Sequence, residues 1–244
     1  MKLAVAIVGY RTWPDGSVEV QVKDLNAAYR KLSKEYPDLC GPTRVPRSIG
    51  LVVMGHSSGA HIGLIMIVEQ TEKVILWNES KTRMKNKRLK DTSVPLVDKF
   101  VGLSGPYSIS DHFDYEAARG VEELSPMKAA CGYSREQFRL NSPALRLQDF
   151  LVSIDEHGDL CPEAFFPRTL LLTGIEDSVV PFTATCCAAQ ALRSCGVSNC
   201  NEIYIPSAGH EDTVIQLMLG GRISKEVTEW LVSAKGDDPL LSKL

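Results

Sequence analysis

The chain has 244 residues, with 27 Lys and Arg against 30 Asp and Glu, for a formal net charge of −3. It therefore lacks the basic field that nucleic-acid binding draws on, and a small, weakly charged partner suits it better. The longest apolar runs, Leu3–Val8 and Ile62–Val68, fall well short of the roughly 20 residues needed to cross a bilayer, so no membrane span is expected.

Leu3–Val8 is a continuous apolar run of the kind buried on both faces of a parallel sheet, and is expected to be a strand. Pro14, Asp15 and Gly16 break it. Val18, Val22, Leu25, Tyr29, Leu32 and Tyr36 then recur in steps of four and three, which draws one stripe down a helix capped by Ser17 and stopped by Pro37. Ile49–Met54 is a second strand, and a helix to about Gln70 follows the glycine-rich turn behind it. The run Lys81–Lys90 carries positive charge without an acid and reads as a solvated loop. Lys99–Ser104 is a third strand, with Tyr107 at its carboxyl end either lining a pocket or packing.

Residues 108–167 show irregular patterning and no strand, and are expected to form an insertion or lid over a site. Thr169–Gly174 and Glu202–Ile205 are the remaining strands, with a helix over Phe182–Ser194 closed by Gly196. Two amphipathic helices, Thr213–Leu219 and Ile223–Val232, lead to a frayed tail over 235–244. Alternating strands and helices predict one α/β domain over residues 1–244, with a mostly parallel sheet covered by helices on both faces. The seven cysteines include no Cys-x-x-Cys, and no Cys/His spacing suits zinc, so neither a metal nor a cofactor is expected. Reduced thiols in a cytoplasmic protein are the default, with Cys195–Cys200 open to pairing in an oxidising compartment.

The chemistry concentrates at Gly55-His56-Ser57-Ser58-Gly59, a Gly-x-Ser-x-Gly placed between a strand and a helix. Such a turn lifts a serine hydroxyl out of the sheet in a strained conformation that tolerates no bulk beside it. Asp177 and His210 each follow a later strand, so the fold can bring the three together at the carboxyl ends of the strands. An unassisted serine is a poor nucleophile near neutral pH; a histidine must take its proton and a carboxylate must hold that histidine's tautomer. Glu176 competes with Asp177 for the acidic role. Among the other histidines, His56 is expected on the pocket floor, His61 beneath the helix, and His112 and His157 at the surface of the insertion or touching substrate.

Gly-His-Ser-Ser-Gly-Ala-His, followed by Thr-Gly-x-x-Asp-x-x-Val-Pro and then Gly-His, resembles the α/β-hydrolase superfamily. The variant is similar to the hormone-sensitive-lipase-like, feruloyl-esterase-like, kynurenine formamidase-like and isoprenylcysteine methylesterase-like esterases. Tyr10-Arg11-x-x-Pro14 resembles the segment after their fourth strand. The resemblance runs from Leu3 to about Val232 and implies Ser57 as nucleophile, His210 as base and Asp177 as its orienting acid. Those esterases also carry an upstream His-Gly-Gly loop that supplies half of the oxyanion hole, and no His-Gly-Gly occurs in this sequence. The expectation is an N-terminally shortened member that keeps the Ser58 N–H as one oxyanion donor. Its sheet is expected either to show a gap beside Leu3–Val8 or to pair that run directly with Ile49–Met54. The function expected is hydrolysis of a small carboxylic ester through an acyl-enzyme, with a formamide or amide hydrolase and a catalytically impaired binding protein as the alternatives; the oligomeric state is left open.

Overall fold

Four of the apolar runs form strands: β1 Val52–His56, β2 Lys99–Leu103, β3 Arg168–Gly174 and β4 Cys200–Ile205. The computed structural model describes residues 4–40, 50–83, 97–154 and 162–233, with 77–83 described by backbone alone. The strands make one all-parallel sheet in the order β1-β2-β3-β4, with Val53 opposite Phe100, Val101 opposite Leu170, and Leu171 opposite Glu202. Each parallel step needs a crossover, and helices supply them.

Successive side chains alternate between two cores, as the period of two requires. Phe100 and Leu171 point into one core, built with Ile62, Leu64, Ile65, Tyr29, Leu147 and Leu192. Val101, Leu103, Leu170 and Leu172 point into the other, with Ile203, Ile205, Val227 and Trp230. The helices behind the first core are α1 (Val18–Glu35), α3 (Ser58–Arg83), α7 (Pro143–Ile154) and α8 (Thr183–Ser194); α9 (Asp212–Leu219) and α10 (Arg222–Val232) cover the opposite face. A short α2, Pro37–Cys40, follows α1. The stretch Ile62–Val68 of α3 is apolar all round and buried, as befits a helix between the sheet and other helices. No helix among the described residues is long and apolar enough to cross a membrane.

The expected strand at Leu3–Val8 is corrected. Leu3 lies outside the described residues, and residues 4–9 form no strand; Val5 is 81% and Ile7 96% exposed. A strand exists by its ladder to a neighbour, and β1 is an edge of the sheet without a ladder to residues 4–9. The described sheet is four contiguous strands, neither gapped nor re-paired with that run. The N-terminal segment is fixed from Tyr10 onward, where Arg11 donates from its backbone N, Nε and Nη2 to the Asp24 carboxylate at 3.1, 2.9 and 2.6 Å. These bonds hold the Asp24 carboxyl down to about 2. Ser17 takes the cap position of α1 in extended backbone, but its hydroxyl makes no cap bond.

The insertion is helical: α4 (Ile109–Ala118), α5 (Met127–Cys131), α6 (Arg135–Leu140) and then α7, followed by a single 3₁₀ turn at Pro162–Ala164. It is more than a lid, because α7 buries Ala144 and Leu147 in the first core. Cys195 and Cys200 are both free and buried, and burial pushes the Cys200 thiol up to about 12. Residues 84–90 of the basic run, His157, Cys161 and the tail lie outside the described residues, as do the side chains of Lys81, Thr82 and Arg83.

Candidate active site

The turn between β1 and α3 has the geometry its glycines permit. Ser57 has φ +53°, a left-handed conformation that costs a non-glycine residue of order 1 kcal/mol or more. The turn is held by the Ser57 N–H donating to Leu103 O at 2.8 Å, and by Ala60 and His61 N–H donating back to Ser57 O. Gly55 lies so close to the first turn of α3 that a β-carbon there would sit 2.3 Å from Gly59 O and 2.5 Å from Ala60 N. Both neighbours are backbone and cannot rotate away. Gly55→Ala is therefore expected to cost about 1–3 kcal/mol or more by forcing the turn apart; urea denaturation measures it, and an unchanged midpoint would contradict the packing argument. Ser58 opens α3, so its N–H is one of the first-turn donors without an intrahelical acceptor, at the positive end of the helix.

Asp177 and His210 meet. His210 Nδ1 donates to Asp177 Oδ2 at 2.8 Å, and Asp177 Oδ1 accepts from the Val179 and Val180 N–H groups at 2.9 and 2.8 Å. The Asp177 side chain is fully buried. Burial alone would raise its pKa, but the bonds from His210 and the two backbone N–H groups outweigh that and hold the carboxyl below its ordinary range. With Nδ1–H committed to the carboxylate, Nε2 is the nitrogen left to accept a proton. Glu176 is exposed, and its backbone N–H ties the loop to Ala208 O at 3.1 Å.

His56, next to Ser57, joins the two halves. Its Nε2 donates to the His210 backbone carbonyl at 3.0 Å, and the two rings lie 4.7 Å apart. Partial burial, opposed by the His210 carbonyl bond, lowers the His56 pKa, so the ring is neutral near neutral pH. Thr213 Oγ1 donates to the same carbonyl at 2.9 Å and lies 3.3 Å from Ser104 Oγ at the end of β2. From the insertion, Tyr115 Oη donates to Ser178 O at 2.9 Å, with Arg119 bonded to the same oxygen, so α4 clasps the loop that carries Asp177.

Of the other two pocket candidates, Tyr107 takes the packing reading and His112 is corrected. Tyr107 is a core residue, 2% exposed: β-carbons at Gly102 and Gly105 would come 2.1 and 2.8 Å from its Oη, so the ring fills the space two glycines leave. His112 is buried rather than at the surface, with Nε2 3.3 Å from Glu116 Oε1 one turn along α4. Among the described residues no group of His, Cys, Asp and Glu is arranged to hold a metal ion.

A topology in which serine, acid and histidine follow three of the four parallel strands, in that order along the chain, invites comparison with known proteins. No family model matches the chain. Over 243 residues it is 26% identical to a probable isoprenylcysteine alpha-carbonyl methylesterase of Arabidopsis thaliana, covering 97% of this chain and 44% of that protein. It is 28% identical to the probable counterpart in Oryza sativa subsp. japonica, over 97% of this chain and 51% of that one. The chain thus spans about half the length of these curated relatives. Among solved structures, it superimposes on an acetyl ester-xyloside bifunctional hydrolase from Caldicellulosiruptor lactoaceticus with TM-score 0.56 and 19% identity, over 91% of this chain and 66% of that one. Esterase B from Lactobacillus rhamnosis gives TM-score 0.56 at 16% identity, over 91% and 64%. The fold is that of the α/β-hydrolase esterases.

In an α/β-hydrolase fold, the loops at the carboxyl ends of the strands carry the site. Ser57 follows β1, Asp177 follows β3, and His210 follows β4. Sequence reasoning placed these three and His56 at that end. It missed Ser104, Thr213, Tyr115 and Arg119, which brace the Asp177 and His210 loops. Only the position of Ser104 at a strand's end could have signalled its role; the others act through side chains that no short motif marks.

Proposed function

We propose that this protein is a serine hydrolase of small carboxylic esters, with Ser57 as nucleophile, His210 as general base and acid, and Asp177 as the carboxylate that orients it. The observation that carries the reading is the buried Asp177–His210 pair, tied through the His56 bond to the residue beside Ser57. In acylation, Ser57 Oγ attacks the ester carbonyl carbon while its proton passes to His210 Nε2, and the carbonyl π electrons move onto oxygen. Collapse of that oxyanion expels the alcohol, which leaves with the proton from His210. Water then repeats the sequence against the acyl-enzyme, regenerating Ser57 and releasing the acid. The oxyanion is held by the Ser58 N–H at the start of α3.

The methylesterase names of the relatives suggest a small alkyl ester, and an amide or formamide fits the same machinery. The unpaired buried cysteines fit a reducing compartment such as the cytoplasm. A fluorophosphonate probe tests the reading: it should label the native chain at neutral pH, and labelling should vanish in Ser57→Ala. Well-folded native protein that takes up no probe would leave only the ligand-binding alternative. Turnover of short-chain nitrophenyl esters against the matching anilides then separates ester from amide specificity.

A further inference from the structure

We propose that the Tyr10 hydroxyl is a second oxyanion donor, so that Tyr10 is a catalytic residue of the Ser57 site. Tyr10 Oη lies 3.1 Å from Ser58 Oγ, and a β-carbon on Gly59 would sit 3.9 Å from it. It is therefore at the mouth of the nucleophile turn, on the residue whose N–H is the first oxyanion donor. The placement is built rather than incidental. The Tyr10 ring packs against the core that α1 and α3 share, and its neighbour Arg11 is clamped by three bonds to Asp24 of α1.

The chemistry follows from what the two hydroxyls can exchange. Between Tyr10 and Ser58 either oxygen can be the donor. When the carbonyl oxygen gains charge, Ser58 Oγ–H donates to Tyr10 Oη and the phenol O–H turns to the oxyanion, so that the serine's dipole strengthens the phenol as a donor. No proton changes owner. As Ser57 Oγ bonds to the carbonyl carbon and its proton moves to His210 Nε2, the phenol donates a hydrogen bond to the new O⁻ and relaxes when the C–O bond to the alcohol breaks. Two directed donors stabilise the tetrahedral state more than the uncharged ester, which is the condition for raising kcat rather than tightening ground-state binding.

The inference rests on the serine-hydrolase reading, and the experiment separates the two. Native protein and Tyr10→Phe are titrated to completion with a fluorophosphonate, and nitrophenyl acetate turnover is expressed per labelled Ser57, which corrects for any unfolded fraction. Phenylalanine keeps the packed ring and removes only the hydroxyl. The expected result is a kcat lower by about a hundredfold to a thousandfold with KM within about threefold, and a parallel loss of affinity for a trifluoromethyl ketone, whose serine adduct carries the same oxyanion. A structural role alone would not move the adduct and the ester KM apart. Arg11→Ala provides a second variant that loosens the segment without touching the hydroxyl: it should lower kcat in the native background and have no further effect in Tyr10→Phe. Turnover of Tyr10→Phe within about threefold of native, or equal Arg11→Ala losses in both backgrounds, would overturn the role of Tyr10 and leave the serine hydrolase standing. Native protein that takes up no probe would overturn both.

Discussion

Asp177→Asn is expected to lower kcat for a short-chain ester by about ten-thousandfold, the size of effect seen where a triad histidine is held in the wrong tautomer, with little change in fold. The hydrogen-bond network dictates the direction. Asp177 Oδ1 accepts from two backbone N–H groups, Val179 and Val180, while Oδ2 accepts from His210 Nδ1. An asparagine can keep the two backbone bonds only by placing its oxygen on that side, which aims its NH₂ at His210. Nδ1 must then accept, the ring proton moves to Nε2, and the nitrogen that should take the Ser57 proton is already occupied. The flipped amide is worse, since its NH₂ would face two donors and leave both unpaired in a buried site. The check is kcat alongside a melting curve and probe labelling. Activity above a tenth of native in well-folded Asp177→Asn would show that Asp177 does not set the tautomer.

The outcome of that experiment depends on features the sequence exposed unevenly. Lys99–Ser104 and Thr169–Gly174 were legible as strands because each is an apolar run buried on both faces between two neighbours. Leu3–Val8 is apolar too, yet its described residues 4–8 are exposed, because hydrophobicity records what a segment would bury and not whether a partner edge stands beside it. The helix after the serine turn was read to Gln70 and runs to Arg83, since the polar Thr71-Glu72-Lys73 interrupts the apolar run without ending the helix, and Val74–Trp77 resumes it with Ile75 buried. At the site, Ser57, Asp177 and His210 were legible from their place after strands. For Tyr107 the choice between pocket and packing, and for His112 its buried place, were not, because a residue's position relative to a strand does not say which way its side chain turns. Tyr107 fills the void above Gly102 and Gly105, and His112 turns inward to Glu116. The clasp of Tyr115 on Ser178 joins residues 63 positions apart, a pairing that only the folded insertion creates.

A second large effect is expected in stability against acid, and it centres on His61. This ring is buried in the first turn of α3, where Nε2 donates to Asn141 O at 2.6 Å just before α7 begins. Burial, opposed by the Asn141 bond and reinforced by the charge of nearby His112, lowers its pKa to about 4. An unfolded histidine titrates near 6.5. Above that value both states are neutral at this site and its contribution to stability is intact. As pH falls between about 6.5 and 4 the unfolded chain takes up a proton that the folded chain refuses, so stability is lost progressively. At about 1.4 kcal/mol per unit the loss approaches about 3 kcal/mol, an order-of-magnitude figure. His61→Gln keeps an N–H donor for Asn141 O but cannot titrate. Urea unfolding of native protein and His61→Gln at pH 7 and pH 4.5 should therefore converge, with the native chain losing roughly 2 to 3 kcal/mol more than the variant over that interval. Equal losses in the two proteins would mean that His61 is protonated in the folded state, and that its bond to Asn141 survives the charge.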